Sequence, residues 1–103
     1  MLRMFGTTSY GSRFSEVVKL AVWNKIQIVP GHSRQKDRYG AWIDWDQYGV
    51  TKDGGTGWEI DHIKPVTHGG TDDLSNLQPL QWQNNRAKSD TWPPNVVQPI
   101  VAR

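Results

Sequence analysis

Apolar residues in this chain cluster in short stretches divided by long polar ones, and their periods differ. Val17, Val18, Leu20, Ala21, Val22, Trp23 and Ile26 recur at helical spacing and predict one helix over 16–27 with a broad apolar face. Ser15 stands at the N-cap position, and Glu16 in the first turn complements the helix dipole. The valine content is high for a helix, so packing rather than propensity must hold it. Ala41–Trp45 predicts a short strand, and turn chemistry at Tyr48-Gly49 and Lys52–Gly55 leads to a second strand at about 57–61. A further short strand over 76–80 follows, which Pro79 confines to an edge or an irregular end. Gln81 to about Lys88 predicts a short helix, so the C-terminal half reads strand, long loop, strand, helix. Between the first helix and strand, residues 32–38 are polar and read as a loop. An extended backbone there would project Arg34, Lys36 and Arg38 to one side. Residues 1–13 have no period and read as an irregular segment; 91–103, with three prolines, reads as an extended tail.

Composition narrows the class. A chain of 103 residues makes one domain with a modest core, here assigned to 14–90, and six tryptophans supply its largest apolar pieces. Trp23 and Trp58 are expected inside it. The absence of cysteine excludes a disulfide framework and a thiolate zinc site, so any metal must be bound by oxygen or imidazole nitrogen. No run is long and apolar enough for a membrane span or a signal peptide, which predicts a soluble, cytoplasmic protein with no membrane partner. Net charge is only +2, but it is unevenly placed. Residues 1–38 hold seven Lys/Arg against two acids, and residues 39–103 hold five against eight. Such a division suits a front half that grips phosphate and a back half that grips a cation.

The chemistry concentrates between Trp58 and Ser89, in WEIDHIKPVTHGGTDDLSNLQPLQWQNNRAKS. An adjacent Asp61-His62 pair with two distant amides, Asn76 and Asn85, makes a poor hydrophobic core. It is well suited to holding one hard metal ion beside a proton acceptor, and so to phosphodiester hydrolysis. Asn76 lies 14 residues after His62, and Asn85 nine after Asn76. With the GGTDDLSNL segment and Lys88, this pattern resembles the HNH endonuclease family, the nucleases with the ββα-metal (His-Me finger) fold. The likeness is dense over 58–90 and weaker over Trp23–Lys25, Arg38–Ala41 and Tyr48-Gly49, where it extends to small stand-alone bacterial and phage members.

The resemblance implies an α+β fold, with an N-terminal helix and a small β-hairpin supporting the ββα-metal motif. It implies His62 as the general base that deprotonates the attacking water, a task an imidazole of ordinary pKa near ~6.5 performs at neutral pH. It also implies Asp61 and Asn85 as ligands of one divalent ion, in an H-N-N variant of the motif. Hard oxygen donors favour Mg²⁺ or Mn²⁺. Asn84 competes with Asn85 for the ligand role; the spacing and Lys88 favour Asn85. Asn76 would span the long loop and keep His62 aimed. Lys88 and Arg86 are expected to touch phosphate from the last helix, with Arg34, Lys36 and Arg38 as a further backbone-binding element. His32 and His68 are expected at the surface.

One geometric difficulty accompanies the pattern. Neighbours on a regular strand point to opposite faces, so Asp61 and His62 serve one phosphate only if the strand ends or twists there, or the phosphate lies between them. One departure also stands out, because many small HNH proteins bind a structural zinc through two CxxC pairs. Gln81 and Asn84 occupy positions where such cysteines would be expected, so aromatic packing is predicted to hold the motif instead. The implied activity is metal-dependent cleavage of DNA with weak sequence preference. A homodimer, through the 16–27 helix or the tail, would suit double-strand cutting. The alternatives are a non-catalytic nucleic-acid-binding module that keeps the scaffold, and the nuclease end of a delivered toxin held by an immunity protein.

Overall fold

The computed structural model describes residues 4–26, 31–93 and 99. Helix α1 spans Glu16–Lys25 and begins where the sequence predicts: Ser15 Oγ accepts the Val18 N–H at 3.2 Å. The sequence predicts that it runs to 27, but it stops at Lys25, with Ile26 as a non-helical C-cap; Gln27 lies outside the described residues. Val22 and Trp23 are buried, whereas Val17 and Leu20 are exposed, so the apolar face is wider than the surface it covers. At the other end, Lys25 Nζ donates to the carbonyls of Leu74 and Leu77 and ties the helix to the turn that enters the last strand.

Strands β1, Arg34–Lys36, and β2, Trp42–Asp44, form an antiparallel hairpin. The loop expected over 32–38 is therefore corrected in its centre to a strand. Strand 41–45 does not pair forward with 57–61 but back onto this polar segment. The physical reason lies in the alternation: Gln35 and Ile43 point inward, while Arg34 sits opposite Asp44 and bonds it through two nitrogens at 2.8 and 3.0 Å. Gln35 Nε2 donates to the Trp23 carbonyl, so a polar residue fills an inward position.

Strand β3, Trp58–His62, pairs antiparallel with β4, Leu77–Gln81, and helix α2, Trp82–Lys88, follows directly. Gln81 caps α2 by accepting the N–H groups of Gln83 and Asn84. All five positions of β3 are buried because its two faces meet different partners. Trp58 and Ile60 join Val22, Trp23, Ile43 and Leu77 in the apolar core. Trp58 lies with ring centroids 5.0 Å from Trp23 and 4.7 Å from Tyr48, contacts each worth about 0.5–1.5 kcal/mol beyond burial. Glu59 and Asp61 face the polar side of α2 instead. These elements form an α+β fold of two helices and two small antiparallel sheets. No helix among the described residues is long and apolar enough to cross a membrane.

Candidate active site

Strand β3 stops at His62, one of the arrangements that would let Asp61 and His62 serve one phosphate. Beyond that end, Asp61, His62 and Asn85 line one cavity of about 20 Å³, together with Phe5, Gly6 and Pro65.

Asp61 is buried on the α2 side. It accepts from Gln78 Nε2 at 2.9 Å, its direct cross-strand partner, and from Lys88 Nζ at 3.2 Å. Burial pushes its carboxyl above the usual range, and Lys88 and Gln78 oppose that push. Lys88 has no exposed surface, and its ammonium also donates to the His62 carbonyl at 2.8 Å. The expectation that Lys88 touches phosphate is therefore corrected: its charge is spent inside, on the Asp-His pair. Arg86 is engaged too, donating to Glu59 at 2.7 Å with its guanidinium 4.2 Å from the Phe5 ring centroid.

Asn85 is buried, and its amide nitrogen donates to Glu59 Oε1 at 2.9 Å. An ionised carboxylate only accepts, so this bond fixes the amide with its nitrogen toward Glu59 and leaves the oxygen without a hydrogen bond among the described residues. Burial raises the Glu59 carboxyl, partly offset by Asn85 and Arg86. Asn84 turns the other way and donates to Asp37.

His62 Nε2 lies 2.7 Å from Asp72 Oδ1, and its ring lies against Phe14. Since the carboxylate accepts, Nε2 carries the proton and Nδ1 is the acceptor of the ring. Asp72 is itself held by the backbone N–H and hydroxyl of Ser9 at 2.9 and 2.8 Å. Burial pushes the Asp72 carboxyl up, but the bonds from His62 and Ser9 outweigh it and leave the pKa below the ordinary value. Asn76 splints the intervening loop: its oxygen accepts the Lys64 N–H, and its nitrogen donates to the carbonyls of Lys64 and Thr71. Gly70 is required in the same place, because a Cβ there would stand 1.7 Å from the Lys64 carbonyl oxygen.

Asp72, Glu59, Gln78 and Ser9 were not singled out from sequence. Glu59 and Gln78 carried a faint signal as polar residues within strands, and Asp72 as an acid in the glycine-rich turn; Ser9 carried none. Arg34, Lys36 and Arg38 are not among the residues that line the cavity. Arg34 is paired with Asp44, Lys36 lies 5.0 Å from the Trp42 ring centroid, and Arg38 lies 5.8 Å from that of Tyr39. His32 and His68 are exposed.

The zinc-free motif is held by more than aromatic packing. Asp37, 4% exposed, accepts the N–H groups of Tyr39, Ala41 and Gln81 and the Asn84 side-chain amide, at 2.9–3.1 Å. Gln81 and Asn84 are the two positions at which zinc-binding cysteines were expected. A buried carboxylate thus ties the hairpin to the start of α2.

Two antiparallel strands followed by a helix, with an Asp-His pair at the first strand's end and an asparagine on the helix, form an arrangement consistent with the ββα-metal fold. Residues 49–91 match the family model described as HNH endonuclease, and that match supports an HNH assignment for this stretch. No curated protein and no solved structure matches the chain. A nuclease-type function follows at that level.

Proposed function

We propose that this chain is a metal-dependent endonuclease that hydrolyses DNA phosphodiester bonds with one divalent ion. The observation that carries the reading is the small cavity shared by Asp61, His62 and Asn85. The donor set fits such an ion: one carboxylate and one amide oxygen are hard ligands, and two protein ligands suit Mg²⁺ or Mn²⁺, which keep several waters. Among the described residues no three His, Cys, Asp or Glu side chains cluster as a metal site, so Asn85 is essential to the set. When bound, the ion supplies Lewis-acid stabilisation of charge on the phosphate and on the departing oxygen.

The residues divide the remaining work. His62 accepts the proton of the attacking water at Nδ1 while Asp72 holds the protonated Nε2 and steadies the imidazolium that results. Lys88 and Gln78 orient Asp61, and Glu59 orients Asn85. Asn76 keeps the loop closed behind His62.

Incubation with supercoiled plasmid tests the reading. Open-circular product should form with Mg²⁺ or Mn²⁺ and not with EDTA. Failure to nick under any metal condition would favour the binding-module alternative.

A further inference from the structure

A second and larger recess lies beside the catalytic cavity and shares Phe5 and Gly6 with it. Its volume is about 410 Å³, within the about 300–1,000 Å³ of sites that hold a small organic group. Arg13, Phe14, Lys19, Tyr48 and Glu59 contribute to its walls. Two of these also belong to the catalytic neighbourhood: Phe14 touches the His62 ring, and Glu59 holds Asn85.

The charges in the recess do not cancel evenly. Glu16, also in the lining, is paired with Lys19 at 3.3 Å. Lys19 lies 4.5 and 4.8 Å from the ring centroids of Trp45 and Tyr48. Glu59 is taken by Arg86 and Asn85. Arg13 is exposed, and its guanidinium makes no hydrogen bond or ion pair among the described residues. The recess therefore offers one uncommitted forked cation above apolar aromatic walls, adjoining the proposed water-activating histidine. A nucleotide presents the complementary pair of groups, an anionic phosphate and a flat sugar-base unit.

Resting on the hydrolytic reading above, we propose that this recess binds the nucleotide flanking the cleaved bond, with Arg13 on its phosphate and Phe14 and Tyr48 against its sugar and base. The assignment moves the phosphate contact from Lys88 and Arg86, which are committed internally, to a residue outside the HNH-matched stretch.

The test uses the full chain, a fluorescein-labelled DNA duplex with EDTA present, and binding by anisotropy across a salt series. Arg13→Gln should bind about tenfold more weakly and lower the salt slope by about 1. Its circular dichroism and melting temperature should match the wild type. Lys52→Gln, which removes one exposed charge outside both cavities, controls for general electrostatics and should have a much smaller effect. In plasmid nicking with Mn²⁺, the Arg13→Gln loss should fall on KM more than on kcat. Equal affinity and salt slope for Arg13→Gln and wild type would overturn the proposal, as would an equal loss in Lys52→Gln. Nicking with an unaffected Arg13→Gln would remove the recess and leave the hydrolytic reading intact. Weakened binding by Arg13→Gln in a protein that never nicks would support the recess and remove the hydrolytic reading.

Discussion

Glu59 decides which end of the Asn85 amide is available, and Asp72 decides which nitrogen of His62 is. Both are buried or half-buried carboxylates acting through one hydrogen bond each, at 2.9 and 2.7 Å. Losing a partner that orients a ligand or base costs about 10–100-fold in affinity or activity. Asp72→Ala is accordingly expected to slow nicking by about that factor at saturating Mn²⁺, measured as single-turnover rates, with the fold retained because Asp72 lies in a partly exposed loop. A wild-type rate would show that His62 needs no such partner. Glu59→Leu should instead raise the Mn²⁺ concentration needed for half-maximal rate. These partners were hard to read from sequence for a physical reason. The Asp-His-Asn-Asn spacing is local, but Asp72 finds His62 only because Asn76 and Gly70 fold the loop back. Lys88 was misread for the converse reason: its spacing from Asn85 puts it on the right helix face, yet that face is interior.

The elements were more legible than their contacts. Helix α1, strands β3 and β4, and helix α2 follow from period, cap and breaker residues. Within the β1–β2 hairpin, β2 is legible as well but β1 is not, because three residues with a polar centre carry no apolar alternation. Its register rests on Arg34–Asp44, and on Asp37 at its turn. The Asp44 carboxyl is held below its ordinary value by the bond to Arg34. A depressed folded-state pKa contributes stability that is present above the unfolded value and is lost as pH falls through the folded one. Asp44→Asn should therefore lower stability at neutrality, with the difference from wild type shrinking below about pH 4 so that the acid limb of a stability-against-pH curve flattens; an identical acid limb would contradict this. Asp37→Ala should cost more, about 3 kcal/mol or above, since each buried donor left unpaired costs about 1–3 kcal/mol. Urea unfolding measures it, and a loss under 1 kcal/mol would mean that the hairpin and α2 are joined chiefly by aromatic packing.

At the scale of the whole molecule, the matched HNH stretch is only the second half of the site. The first half supplies Ser9 to Asp72, Phe14 to His62, Gly6 to the wall of the cavity, and Lys25 to the turn before β4. The sequence pointed to a supporting role for this half through its charge and its tryptophans, but placed its phosphate grip on Arg34, Lys36 and Arg38. Those cations face the hairpin's own ion pair and rings and are not among the residues that line the cavity, so their part in binding DNA would be at a distance from the reacting phosphate. The expected extended tail, and a dimer contact through it, fall on residues that lie largely outside those described. The central claim is a division of labour within one cavity, with His62 providing proton transfer and Asn85 with Asp61 providing metal affinity. Its most direct measurement is plasmid nicking by wild type, His62→Ala and Asn85→Ala over a full Mn²⁺ titration. Wild type should rise to a plateau, His62→Ala should stay near zero at every concentration, and Asn85→Ala should recover activity only at about tenfold more Mn²⁺ or higher. A His62→Ala curve that follows the wild type, or wild-type nicking that persists in EDTA, would contradict the account.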